Sequence, residues 1–132
     1  SSTSRGLGDV YKRQYKFREA VNTLIDLARL GNKYLADEEP WKLIKTENSE
    51  RVKTIMNIAL QLSGVLSIVS EPFLPNTALK LRNMLNLQSS DWNSISKENP
   101  IILSKINKGE LLFRKIEDDE IELQLQKLNE SK

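Results

Sequence analysis

A chain of 132 residues, 39% hydrophobic and 29% charged, has the size and balance of one folded domain with a single core. It contains neither cysteine nor histidine, which excludes disulfides, thiolate nucleophiles, cysteine-type zinc sites and imidazole acid–base chemistry. The net charge of +2 is no nucleic-acid signature, because Arg5, Lys12 and Arg13 against Asp9 account for all of it. Residues 15–116 carry 15 basic and 11 acidic groups, a mild excess compatible with RNA contact. No unbroken apolar run approaches the roughly 20 residues of a bilayer span, and no signal-peptide pattern opens the chain, so a cytoplasmic setting is expected.

Residues 1–14 show no helical apolar period and hold two of the five glycines. The run from Arg5 to Gln14 looks like translated sequencing-adapter sequence; the other reading is a flexible native arm whose basic residues meet RNA. In either case the segment is set aside as a non-native or disordered arm, and the domain is expected over 15–132.

From Tyr15 the pattern is helical. Phe17, Val21, Leu24, Ala28, Gly31 and Leu35 recur at steps of three and four, with Arg18, Asn22, Asp26, Arg29 and Lys33 opposite. Gly31 lowers helix propensity and so points to close approach of another helix or a ligand. Residues 36–40 break the run, with Asp37 as a candidate cap and Pro40 in the first turn of a short helix holding Trp41, Leu43, Ile44 and Lys45. Asn48 or Ser49 then caps a third helix, with Glu50 in its first turn. Its stripe of Val52, Ile55, Ala59, Leu62, Leu66 and Val69 is widened by Met56, Ile58, Leu60 and Val65, the mark of a central helix packed on several sides.

Pro72 closes that helix and Pro75 opens the next, with Ala78, Leu81 and Leu85 inward. Residues 86–110 read as loop, fastened by Trp92, Ile95, Ile101, Ile102, Leu103 and Ile106. Ile121, Leu125 and Leu128 mark a C-terminal helix capped by Asp118 or Asp119. The predicted architecture is an all-α helical bundle without internal repeats.

Few residues carry chemistry. Trp41, at a helix start with Lys42 and Lys45 beside it, either stacks on a nucleic-acid base or lies buried between two helices. Trp92 reads as a hydrophobic plug rather than a ligand platform. Glu117 to Glu120 read as first-turn acids complementing the helix dipole rather than as a metal site.

The run Asn32-Lys33-Tyr34-Leu35-Ala36-Asp37-Glu38-Glu39-Pro40-Trp41-Lys42 resembles methionyl-tRNA synthetases, which show a helix ending in Asn-x-Tyr, then acids, then Pro-Trp. The resemblance continues through Glu71-Pro72-Phe73-Leu74-Pro75, Asp91-Trp92 and Leu112-Phe113-Arg114-Lys115-Ile116-Glu117-Asp118, where the family's tail folds back on the body. It covers about Tyr15 to Leu128.

The resemblance implies an anticodon-binding bundle of the class I aminoacyl-tRNA synthetase type. Such a bundle docks on a Rossmann-type catalytic domain that activates methionine with ATP, in some cases also holding zinc, and charges the tRNA. The implied partners are initiator and elongator methionine tRNA with a CAU anticodon and the protein's own catalytic domain, with neither membrane nor DNA. Trp41 matches the family tryptophan that stacks on the first anticodon base, Pro40 would set its angle, and Asn32 would touch RNA or brace the turn.

No catalytic, cofactor or metal residue is expected here, since the His-Ile-Gly-His and Lys-Met-Ser-Lys-Ser motifs are absent; the stretch alone should be inactive. The family's opening helix, with an asparagine and an arginine that read the anticodon, should precede Tyr15. Its expected loss would leave apolar surface exposed. Two alternatives stay open: a stand-alone helical protein-interaction module with Trp41 facing protein, and the anticodon-binding domain of a leucine, isoleucine or valine synthetase.

Overall fold

The computed structural model describes the backbone of residues 2–88, 91–95, 100–101 and 105–132, and side chains from residue 16 within them. The described residues form five helices, a single 3-10 turn and no strand. In chain order they are α1 (Ser2–Glu38), α2 (Pro40–Leu43), α3 (Ser49–Val69), α4 (Pro75–Leu85), the 3-10 turn Trp92–Ser94, and α5 (Asp118–Glu130). The sequence-based expectation of an all-α bundle is met.

α1 starts much earlier than its apolar period does. In place of an arm before Tyr15, the backbone is helical from Ser2. No proline interrupts that stretch, and extending an existing helix is far less costly than nucleating one. Within the helix Val21, Leu24, Ala28, Gly31 and Leu35 turn inward and are partly buried, whereas Arg18, Asn22, Asp26, Arg29 and Lys33 face solvent. Phe17 stays largely exposed but meets Phe73 edge-on, with ring centroids 5.1 Å apart.

α3 is the centre of the molecule and packs against α1, α2 and α4. By length and composition it is apolar enough to cross a membrane. A search for unbroken apolar runs misses this, because Asn57, Gln61 and Ser63 interrupt the sequence. Packing on three neighbours covers one side of it. Ile55, Gly64, Ser67 and Ile68 are buried, but Met56 and Ile58 are exposed, so the stripe is narrower than the sequence predicts.

Small residues let the neighbours approach. A methyl group on Gly31 would stand 2.5 Å from Leu62 Cδ2, so the close approach predicted at that turn is by α3. One on Gly64 would stand 2.7 Å from Ile101 Cδ1, where the loop crosses α3. Gln61 fastens that crossing with its side-chain amide, accepting from the Ile101 N–H at 2.8 Å and donating to the Ile101 carbonyl.

α3 ends at Val69, and Phe73 and Leu74 N–H groups return to the Ser70 carbonyl before Pro75 opens α4. Ala78 and Leu85 are buried as expected, and the third buried residue of α4 is Arg82. Its guanidinium donates to the Ser67 carbonyl at 2.9 Å and pairs with Glu71, which ties α4 to the last turn of α3. Asn86 closes α4 in the left-handed conformation, with φ of 56°, and the Leu87 N–H reaches back to the Arg82 carbonyl.

The loop and tail depart further from expectation. Trp92 is more than half exposed, so it does not plug the bundle; Asp91 instead caps its 3-10 turn by accepting from the Asn93 N–H at 2.9 Å. Ile101 is partly buried, Ile106 is exposed, and Ile102 and Leu103 lie outside the described residues. α5 is capped from Glu117, one residue before the predicted caps, with the Glu120 carboxylate accepting the Glu117 N–H. Ile121, Leu125 and Leu128 make a stripe at helical spacing, yet α5 buries no residue and Leu111, Phe113 and Ile116 are exposed. The tail does not fold back into the core.

Candidate nucleic-acid interface

The site is built where α1 gives way to α2. The Glu39 N–H bonds to the Leu35 carbonyl and ends α1. Glu39 then takes a left-handed conformation with φ of 47° and ψ of 56°. A side chain there is strained, and the residue before a proline is additionally disfavoured in compact conformations. Pro40 occupies the first position of α2 and is buried, so its ring anchors the turn. The Ile44 N–H closes the turn onto the Pro40 carbonyl at 3.0 Å. Asp37, the predicted cap, lies inside α1 instead.

This strained and anchored turn aims Trp41 outward. The indole is 54% exposed, so the tryptophan is not buried between two helices. Ile44, three residues on, is 67% exposed and widens the apolar surface beside it. Asn32 is exposed on α1, about two helical turns before Glu39. The structure thus places Trp41 on the surface, Pro40 beneath the turn and Asn32 on the preceding helix; it records no contact of Asn32 with Trp41.

The charge around Trp41 is arranged in pairs. Three consecutive acids, Asp37, Glu38 and Glu39, stand just before it, and each is matched by a cation. Lys33 pairs with Asp37 at 2.8 Å, Lys42 with Glu39 at 2.8 Å and Arg51 with Glu38 at 2.9 Å. The hydrogen bond and charge of Asp37 raise the Lys33 pKa, and those of Glu38 raise that of Arg51. An acidic triplet that would repel phosphate is thereby neutralised, while Lys45 is exposed and in no ion pair among the described residues. The pairs at three and four residues are legible in sequence. The Arg51–Glu38 pair spans two helices and had no local signal.

The arrangement suits stacking. An exposed indole on a fixed turn offers a flat apolar face, and its rim is polar without net negative charge. Among the described residues, no group of three or more acids is placed to hold a metal ion.

The match to known proteins decides the family. The family model described as the anticodon binding domain of methionyl tRNA ligase matches residues 9–131. The chain belongs to this family. The match starts at Asp9, inside the segment set aside from fold reasoning.

Among the relatives, the methionine–tRNA ligase of Christiangramia forsetii is 57% identical over 127 residues, covering 90% of this chain and 18% of that protein. Those of Cytophaga hutchinsonii and Bacteroides fragilis are 54% and 53% identical, covering 90% and 89% of this chain and 17% of each relative. The chain therefore spans less than a fifth of the length of these relatives. The resemblance from Asn32 to Lys42 and onward is supported along the length of the domain, and neither the sister-synthetase nor the stand-alone-module reading is favoured.

Proposed function

We propose that this anticodon-binding domain recognises the CAU anticodon of initiator and elongator methionine tRNA, with Trp41 as the platform on which the first anticodon base stacks. The observation that carries the reading is the half-exposed indole on the buried Pro40 turn, next to three acids that are each neutralised. Stacking supplies affinity for a splayed base, and polar groups around it read the Watson–Crick edge. Pro40 and the left-handed Glu39 fix the angle of the ring. Asn32 contributes a polar contact or braces the turn from α1.

In the whole protein, binding here orients the tRNA toward a separate catalytic domain that uses ATP and methionine. Recognition at a distance thus becomes selectivity in charging. Any zinc belongs to that other part, since this chain has no cysteine or histidine to ligate it. The domain alone charges no tRNA, and the enzyme works in the cytoplasm.

The test is a binding titration of the chain with a CAU anticodon hairpin and with one changed at the first base. Preference for CAU is expected, with Trp41→Ala weakening CAU binding by about 1–3 kcal/mol and removing the preference. Equal binding of both hairpins by the unmodified chain would overturn the reading.

A further inference from the structure

A second polar surface lies away from Trp41, at the C-terminal end of α4. Two open clefts flank Asn107 there. One, of about 370 Å³, is lined by the amides of Asn83, Asn86, Gln88 and Asn107. The other, of about 230 Å³, is lined by Lys80 and Lys108 together with Glu110. Neither lysine is in an ion pair among the described residues, unlike Lys33, Lys42 and Lys53, each matched by an acid three or four residues away.

The surface is held in place. The Asn107 N–H donates to the Met84 carbonyl at 2.7 Å, and its side-chain amide donates to the Asn83 carbonyl at 2.6 Å. The Glu110 N–H donates to the Met84 sulfur at 3.0 Å. These three bonds pin the segment carrying Lys108 against the last turn of α4 and set it across one cleft from Lys80. The backbone that carries Lys108 is thus held beside α4 before any ligand arrives, which lowers part of the ordering cost of binding.

We propose that this surface grips the ribose–phosphate backbone of the stem beneath the anticodon loop. Lys80 and Lys108 would meet phosphate, and the amides would meet phosphate and 2′-hydroxyl oxygens. The inference rests on the tRNA reading of Trp41 and deepens it. Amides beside lysines are the groups that contact nucleic-acid backbone, and two lysines against one acid leave the smaller cleft cationic. The spacing also fits. Arg51 ties the Trp41 end to the first turn of α3, whereas Leu87, which lines the larger cleft, packs beside Gly64. Thirteen residues of helix separate Arg51 from Gly64, about 20 Å along α3, the scale on which a hairpin runs from its loop into its stem.

The test uses the chain with the CAU hairpin, the first-base variant and a stem-less oligonucleotide of the loop sequence, each titrated over a range of salt. Lys80→Gln/Lys108→Gln should weaken both hairpins by on the order of tenfold and reduce the salt slope by about 2, with the CAU preference intact. The stem-less oligonucleotide should bind both proteins alike. Glu110→Gln should tighten both hairpins, and Lys127→Gln/Lys132→Gln, with the same loss of charge elsewhere, should leave the slope unchanged. CAU preference with an unchanged slope in Lys80→Gln/Lys108→Gln would overturn this inference alone. An equal fall in slope from Lys127→Gln/Lys132→Gln would overturn it too, by showing an effect of net charge. No selective binding by the unmodified chain would overturn the tRNA reading and this inference with it.

Discussion

Single side chains decide more here than their chemistry suggests. Gly31 lets α3 approach closely, because the Leu62 Cδ2 methyl occupies the space that a Cβ would take. Gly31→Val should lower stability by about 1–3 kcal/mol in urea unfolding through overpacking. Gly31→Ala should change it by less than about 1 kcal/mol, because the gain in helix propensity offsets a small shift of the Leu62 methyl. Glu120 is a second case. Its pKa is lowered from 4.5 to about 2, first by the Arg114 hydrogen bond and then by the Glu117 N–H. A depressed carboxylate stabilises the fold above its unfolded pKa and loses that contribution as pH falls through the folded value. The start of α5 should therefore hold above about pH 4.5 and fray toward pH 2. Arg114→Gln should move the Glu120 titration, followed by carboxyl NMR shifts, upward toward 4.5.

Among the elements, the α3–α4 corner rests on a polar contact that apolar periodicity does not show. Ala78 and Leu85 follow the expected inward stripe, but Arg82 shares that face at 8% exposure. It is tolerated because the Ser67 carbonyl and Glu71 take up its donors. Arg82→Met should destabilise the chain by on the order of 2 kcal/mol in denaturant unfolding followed by circular dichroism, since Glu71 can turn to solvent while the Ser67 carbonyl loses its partner. Prolines at 40 and 75 and the stripe of α3 were legible from the chain because they act within a few residues. The Arg82 network joins positions 11 and 15 residues apart, and no local pattern announces it.

At the scale of the whole molecule, the core is concentrated around α3, and the tail stands apart. Leu111 is 88% exposed and α5 buries nothing, although its apolar spacing resembles that of a core helix. Removing residues 111–132 should leave the unfolding free energy of the bundle within about 1 kcal/mol of the intact chain, and a larger loss would show that the tail supports the core. Helical period alone thus finds α5 but takes Met56 for a packed position: amphipathicity declares which face is apolar, not whether anything covers it.

Local signals in the sequence were enough for the helical class, the breaks before Pro40 and Pro75, the central place of α3 and the tryptophan in the first turn of α2. Prolines and three-to-four periodicity act through local sterics and local burial, so they survive without knowledge of the fold. Tertiary structure alone decided that Trp41 is exposed above a buried Pro40, that Arg51 neutralises Glu38, that Trp92 is no plug, and that Asn107 brings Lys108 beside Lys80. Each depends on elements distant in sequence meeting at one place, and the free energy of such contacts is set by burial and geometry that only the assembled bundle defines.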